Sequence, residues 1–124
     1  MMLAFPANSE IFVIHEPVSF ARGIDGMGAL CRALLDQEPL SSAYFLFINK
    51  GRTQMRALWF DGQGLSLCTK RLSQGSFRNW PKASAEPAQI VRWFEAQILV
   101  GGGCIEGLNH APIWKELSET DLRN

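Results

Sequence analysis

The spacing of apolar residues along the chain predicts both strands and helices. Residues 10–15 (EIFVIH) are rich in β-branched and aromatic types and are soon followed by Pro17, which predicts a short first strand. After Gly23, apolar residues recur every three or four positions, which predicts a helix that ends before Pro39 and packs one face on a sheet. The residues on that face are Ile24, Met27, Leu30, Cys31, Leu34 and Leu35.

The centre of the chain has the pattern of three consecutive strands. Residues 43–48 (AYFLFI) are a continuous apolar run of strand length, and residues 49–52 (NKGR) supply a turn into a second strand at 53–60. Residues 61–64 (DGQG) contain two glycines able to take positive φ, and the alternating residues 65–70 follow them. These segments predict an antiparallel meander.

The region after the meander is predicted to contain a loop and a second helix. Residues 73–82 (SQGSFRNWPK) predict an ordered loop. Ser84 can cap a helix that has Pro87 in its first turn, and the glycines at 101–103 end that helix. Its apolar stripe consists of Ile90, Val91, Phe94, Ile98 and Leu99.

These elements predict the α+β class: an antiparallel β-meander of about four strands, with one helix before the meander and one after it. We expect residues 1–100 to form a single domain, because a chain of 124 residues is of ordinary single-domain size. Residues 101–124 are expected to be a glycine-rich connection and a C-terminal tail. Within that tail, residues 112–117 can form a short helix that carries Trp114.

Composition places the chain among ordinary globular proteins. It is 47% hydrophobic and 19% charged, a balance that argues against a largely disordered chain. Its three cysteines lie far apart without a Cys-x-x-Cys pair, which fits a reduced compartment. The N-terminus lacks the basic start of a signal peptide, and no run of about 18 apolar residues could span a bilayer. We therefore expect a soluble, cytoplasmic protein without membrane contact.

The sequence carries no motif that predicts catalysis or cofactor binding. His15 and His110 lie far apart, and no histidine or cysteine pair has metal-ligand spacing. No Gly-x-Ser-x-Gly elbow occurs, and Cys31 is expected to be a buried structural thiol on the first helix. The glycine clusters match neither a phosphate loop nor a dinucleotide-binding turn. We expect no catalytic residue, no metal, no cofactor and no small-molecule substrate.

Charge is unevenly distributed along the chain although the net charge is zero. Between residues 50 and 82, seven basic side chains accompany the single acidic residue Asp61, whereas both flanks carry more acidic than basic residues. The seven are Lys50, Arg52, Arg56, Lys70, Arg71, Arg78 and Lys82. A basic segment of this kind predicts contacts with nucleic-acid phosphates.

Two interpretations of this basic segment remain open. Trp59, Phe77 and Trp80 lie among the basic residues, an arrangement that suits phosphate contact combined with base stacking. The alternative is a solvated sheet face over buried aromatic residues. Strand alternation favours this alternative, because the neighbours Lys70 and Arg71 point to opposite faces and the charges need not converge.

Four segments together resemble one known family. They are residues 22–27 (RGIDGM), 58–65 (LWFDGQGL), 70–72 (KRL) and 80–81 (WP). Their order and spacing are similar to those of the TnpB accessory proteins of insertion-sequence-66-type transposable elements, and the likeness covers about residues 3–100. The chain departs from that pattern at Phe20-Ala21, where the family has Met-Arg, and by one additional residue before Trp80.

The resemblance implies a non-catalytic accessory protein for DNA transposition, and hence DNA recombination, of a bacterial insertion sequence, in which a larger DDE-type transposase performs the strand chemistry. One hypothesis is a module that helps to assemble the transposase on DNA and contacts phosphates through the seven basic residues. The other is a protein–protein adaptor for the transposase or a companion protein, without direct DNA contact. Trp93 and Trp114 are the candidate partner-binding residues for an adaptor, with ordinary core packing as their alternative role.

Overall fold

The described part of the chain, residues 3–36 and 42–107 of a computed structural model, contains five strands and two helices. The strands are β1 (Ile11–Ile14), β2 (Tyr44–Ile48), β3 (Gln54–Phe60), β4 (Leu65–Arg71) and β5 (Ala88–Val91). The helices are α1 (Ile24–Leu35) and α2 (Trp93–Val100). The α+β class is confirmed, and the predicted helix at 112–117 lies outside the described residues.

The strands form one mixed sheet in the order β4-β3-β2-β1-β5. Strands β2, β3 and β4 pair antiparallel through consecutive turns, so the three-stranded meander is confirmed. Strand β1 instead runs parallel to β2, because α1 crosses from the end of β1 to the start of β2. Strand β5 pairs antiparallel with the other edge of β1. The prediction of about four antiparallel strands is therefore only approximately correct.

Strand alternation distributes the apolar side chains over both faces of the sheet. On one face, Phe12, Phe45 and Leu58 pack with Met27 and Cys31 of α1. On the other face, Val13, Leu46, Met55 and others pack with Ala96 and Leu99 of α2. Burial of each large side chain contributes roughly 1.5–3 kcal/mol. The inner strands β1 and β2 are covered on both sides, which explains their continuous apolar runs.

The second helix begins at Trp93 and not next to Ser84, as the sequence pattern had predicted. Residues 88–91 form β5 instead. Val91 is buried whereas Ile90 is 62% exposed, which is the alternation of a strand. The open edge of β1 supplied backbone partners for this segment, and β-branched Ile90 and Val91 suit that role. The predicted helix end is confirmed, with Gly101 as the C-cap.

Candidate functional site

The sheet topology brings several distant basic residues to one end of the molecule. Strands β1, β2 and β4 finish at this end, and β3 and β5 begin there. The connections at this end and the last residue of β4 carry a set of basic side chains that we call the basic end: Arg22, Lys50, Arg52, Arg71, Arg78 and Lys82. Five of these six residues belong to the predicted nucleic-acid-binding set.

The β2–β3 turn presents Lys50 and Arg52 at the basic end. The side-chain oxygen of Asn49 accepts hydrogen bonds from the backbone N–H groups of Thr53 (2.9 Å) and Gln54 (3.1 Å). Arg52 takes a left-handed conformation with φ of 58°, and its N–H donates to the Asn49 carbonyl at 3.0 Å. These bonds close the turn, so the exposed Lys50 and half-buried Arg52 extend from a fixed backbone.

The loop at 73–82 is anchored by two aromatic residues and exposes its cations. The N–H of Phe77 donates to the Arg52 carbonyl at 2.7 Å, and the Trp80 indole donates to the Ile14 carbonyl at 3.0 Å. Both rings are almost completely buried, with exposures of 1% and 2%. Phe77 and Trp80 are therefore core residues that offer no ring face for base stacking. Arg78, which lies between them, is exposed.

Trp59, the third aromatic residue of the predicted set, lies on the sheet and not at the basic end. It is half-buried, and its ring stacks on Tyr44 with the centroids 5.5 Å apart. Tyr44 in turn meets Phe5 edge to face. This aromatic row belongs to the packing beneath α2, so the structure favours buried aromatics over stacking platforms.

Arg56 makes intramolecular contacts on the α1 face of the sheet. Its guanidinium carbon lies 4.4 Å from the centroid of the Phe20 ring. Its Nε donates to the Thr69 hydroxyl at 3.1 Å, and its Nη1 donates to the Arg22 carbonyl at 3.0 Å. These contacts hold the β1–α1 loop against β3 and β4, so Arg56 has a structural role.

Lys70 also makes an intramolecular contact, on the opposite face of the sheet from Arg56. Its Nζ donates to the carbonyl of Val100 at 2.7 Å. Val100 is the last residue of α2, where carbonyl groups lack helical partners and the helix dipole favours a cation. Lys70 therefore caps α2, and the structure separates it from its sequence neighbour Arg71, which is exposed on β4.

Sequence reasoning did not include Arg22 in the candidate set. It lies in the acidic first third of the chain, and the connection from β1 to α1 brings it to the basic end, where its carbonyl accepts a hydrogen bond from Arg56. The same end carries three carboxylates, Glu16 and Glu86 in the connections and Asp25 in the first turn of α1. The six cations outnumber them, so the basic end has a net positive charge.

A cleft of about 650 Å³ borders the basic end and includes Arg78 and Lys82 in its lining. Glu95 and Glu106 line the same cleft, so its charges are balanced and do not favour an anion. His15 lies in its wall, with Nδ1 2.9 Å from the Glu86 carbonyl and Nε2 2.9 Å from the Gln89 side-chain oxygen. These contacts join the end of β1 to the start of β5.

The structure describes only one of the two candidate partner-binding tryptophans. Trp93 is half-buried at the start of α2, where it packs against the core and meets Phe94 edge to face. Its buried indole N–H has no hydrogen-bond partner among the described residues. Trp114 lies outside the described residues. For Trp93, the geometry agrees with core packing.

Cys31 and Cys68 are buried in the positions of structural residues, whereas Cys104 is exposed. Cys31 is completely buried on the sheet-facing side of α1, as predicted. Burial raises the pKa of the Cys68 thiol, which opposes formation of a reactive thiolate. Within residues 3–36 and 42–107, no three His, Cys, Asp or Glu side chains are grouped so that they could hold a metal ion. The helices in these ranges are also too short or too polar to cross a membrane.

Comparison with known proteins decides the family. Residues 9–110 match the family described as IS66 Orf2 like protein. This chain belongs to that family. The match confirms the resemblance to the TnpB family of insertion-sequence-66-type elements.

Two relatives from Sinorhizobium fredii are similar to this IS66 Orf2-like protein. Uncharacterized protein y4jC is 37% identical over 67 residues, which are 54% of this chain and 57% of that protein. Uncharacterized protein y4hO is 29% identical over 94 residues, 72% of this chain and 81% of that protein. The chain thus spans less than two thirds of the first relative's length. Comparison with the solved structures gives no significant match.

Proposed function

We propose that this IS66 Orf2-like protein is a non-catalytic accessory protein that contacts DNA phosphates through its basic end. In this proposal it acts beside the transposase of the same element, in the bacterial cytoplasm. One observation carries the proposal: three separate connections of the fold and the end of β4 bring six cations to one end of the sheet, namely Arg22, Lys50, Arg52, Arg71, Arg78 and Lys82.

The chemistry of the basic end suits phosphate contact and not base reading. Lysine and arginine contribute to DNA affinity mainly by displacing condensed counterions, an effect that does not depend on sequence. The aromatic residues nearby are buried, and hydrogen bonds to Asn49 close the turn that carries Lys50. Contacts of this type fix the position of a protein on a duplex, whereas another component selects the site.

A salt series on duplex DNA tests the proposal. We compare the wild type with Lys50→Gln/Arg71→Gln, which removes two exposed cations from the basic end. Because each lost phosphate contact flattens the plot of log affinity against log salt by about one, we expect a slope that is shallower by about two. Binding should weaken to a similar extent on the element's terminal repeat and on unrelated duplex.

The matched control removes two cations from the opposite end of the sheet, in the variant Arg32→Gln/Arg92→Gln. It should keep the wild-type slope, provided that thermal melting shows both variants to be folded. Equal slopes for the wild type, the test variant and the control would refute the role of the basic end.

An adaptor function is the alternative if the wild type binds neither duplex at low salt. The transposase is then the partner to test in a pull-down experiment. Loss of capture by folded Trp93→Ala or Trp114→Ala protein would identify the anchor. Capture that survives both substitutions would remove the two tryptophans from the adaptor hypothesis.

A further inference from the structure

Within residues 3–36 and 42–107, strand β5 forms an edge of the sheet, and no further strand pairs with its outer side. The N–H of His15 donates to the Pro87 carbonyl at 3.0 Å, and the β1–β5 register continues from that pair. Backbone hydrogen bonds alternate in direction along an antiparallel strand. The N–H and C=O groups of Gln89 and Val91 therefore point to β1, whereas those of Ala88 and Ile90 point outward. Ile90 also exposes 62% of its side chain at this edge.

The two edges of the sheet differ in how they are protected. The opposite edge, β4, carries Lys70 and Arg71 at its end, and charged side chains discourage addition of another strand. Strand β5 carries no charge from Ala88 to Val91. An exposed edge with an isoleucine at its centre is the kind of surface that pairs with another strand.

We propose that β5 pairs antiparallel with β5 of a second copy of this chain, about a two-fold axis at Gln89. In that register Ile90 lies opposite the partner's Ala88, and both present outward N–H and C=O groups, so the two strands form four backbone hydrogen bonds. Ile90 meets a small side chain that leaves room for it, and the apolar pair occurs twice by symmetry.

Charge complementarity selects a second copy as the occupant. The same register places Glu86, in the bend before β5, opposite the partner's Arg92, directly after β5. Both side chains are exposed, and the symmetric pair repeats the contact on the other side of the axis. The backbone N–H of Arg92 donates to Glu95 at 2.9 Å, so Arg92 takes part through its side chain alone. The strand is thus complementary to itself in both shape and charge.

Sedimentation of the full chain over a wide concentration range tests this interface. We expect reversible dimers for the wild type and monomers for Ile90→Lys, in which two lysines would lie close to the axis. The interface is small, so the dimer should dissociate on dilution. Circular dichroism and thermal melting of each variant confirm that the fold is retained.

A charge-swap experiment tests the register itself. Glu86→Arg places arginine opposite the partner's Arg92, and Arg92→Glu places glutamate opposite the partner's Glu86, so each variant alone should dimerise less than the wild type. A mixture of the two variants forms two attractive pairs, and we expect heterodimers at wild-type strength. Both substitutions are at exposed positions, so this experiment still tests the interface if Ile90→Lys fails to fold.

Three results would overturn the proposal. The first is a wild-type chain that stays monomeric at the highest concentration. The second is a dimer that none of the three substitutions weakens, since its interface would lie elsewhere. The third is a monomer that binds an extended segment of the transposase in an Ile90-dependent manner, which would identify a partner protein as the occupant of β5.

Discussion

Arg56 shows how one side chain can link three parts of the chain. Its guanidinium contacts the Phe20 ring, the Thr69 hydroxyl and the Arg22 carbonyl. The first and third contacts lie in the β1–α1 loop, and the second lies on β4. Such a side chain contributes to stability and is not available for phosphate contact without loss of these bonds.

We expect Arg56→Gln to lower the free energy of unfolding by about 1–2 kcal/mol, since it removes a cation–π contact and two hydrogen bonds that the guanidinium donates. Urea denaturation measures this change. The control is Arg71→Gln, which removes the same charge from an exposed position on β4 and should stay within about 0.5 kcal/mol of the wild type. Equal losses in both variants would mean that charge, and not the contacts of Arg56, is responsible.

At the residue scale, the sequence identified which residues are charged but not which of them make intramolecular contacts. Alternation correctly placed Lys70 and Arg71 on opposite faces. It could not show that Lys70 would meet the end of α2, because that contact joins residues 30 positions apart. The burial of Phe77 and Trp80 likewise depends on partners that are distant in sequence, Arg52 and Ile14.

Among the connecting elements, the β3–β4 turn depends on the charge of Asp61. The pKa of this carboxyl is lowered below its ordinary value of 3.8, first by the N–H of Gln63, then by the N–H of Gly64 and the hydroxyl of Ser66. The two N–H groups donate at 2.9 and 3.0 Å, and the hydroxyl donates at 2.9 Å. The ionised form therefore favours the folded state.

Because the pKa of Asp61 is lower in the folded state than in the unfolded state, its contribution to the free energy of unfolding decreases as the pH falls. The stabilisation by Asp61 is fully present above pH 3.8 and is lost as the pH falls through the lower folded-state pKa. We expect Asp61→Asn to lower the melting temperature at neutral pH and to differ less from the wild type in acid. Gln63→Ala is the control, because it keeps the backbone donor and should leave the melting temperature unchanged at either pH. A difference that persists in strong acid would contradict this account.

At the element scale, the sequence predicted the elements that have strong local patterns. The meander and α1 follow from alternation and from three- and four-residue spacing, and both are confirmed. Strand β5 escaped prediction because Ile90 and Val91 also fit the apolar stripe of a helix that starts near Ser84. The free edge of β1 decided between the two, and the sequence does not display which strand edges are free.

At the scale of the whole molecule, the charges of the described residues are unevenly distributed along the sheet. The basic end holds six cations against three carboxylates, whereas the opposite end holds Glu10, Asp36 and Asp61 together with Arg32 and Arg92. The zero net charge of the chain hides this separation. It was not predictable from the linear charge distribution, because it depends on the parallel pairing of β1 with β2, which brings Arg22 next to the central basic segment.

The position of the basic end and the β5 interface together predict that a dimer of the protein holds two DNA duplexes. Antiparallel pairing of β5 with the partner's β5 would make one continuous sheet with its two basic ends pointing in opposite directions. We expect the wild type to bring two differently labelled duplexes together in a capture assay, which suits a process that must join two element ends. Ile90→Lys should bind a single duplex with unchanged affinity and salt slope but should not capture the second. Each basic end belongs to one chain, so a monomer should hold a single duplex. If the folded, monomeric variant still captured the second duplex, one chain would bind both duplexes. The two-fold dimer would then not be required for capture.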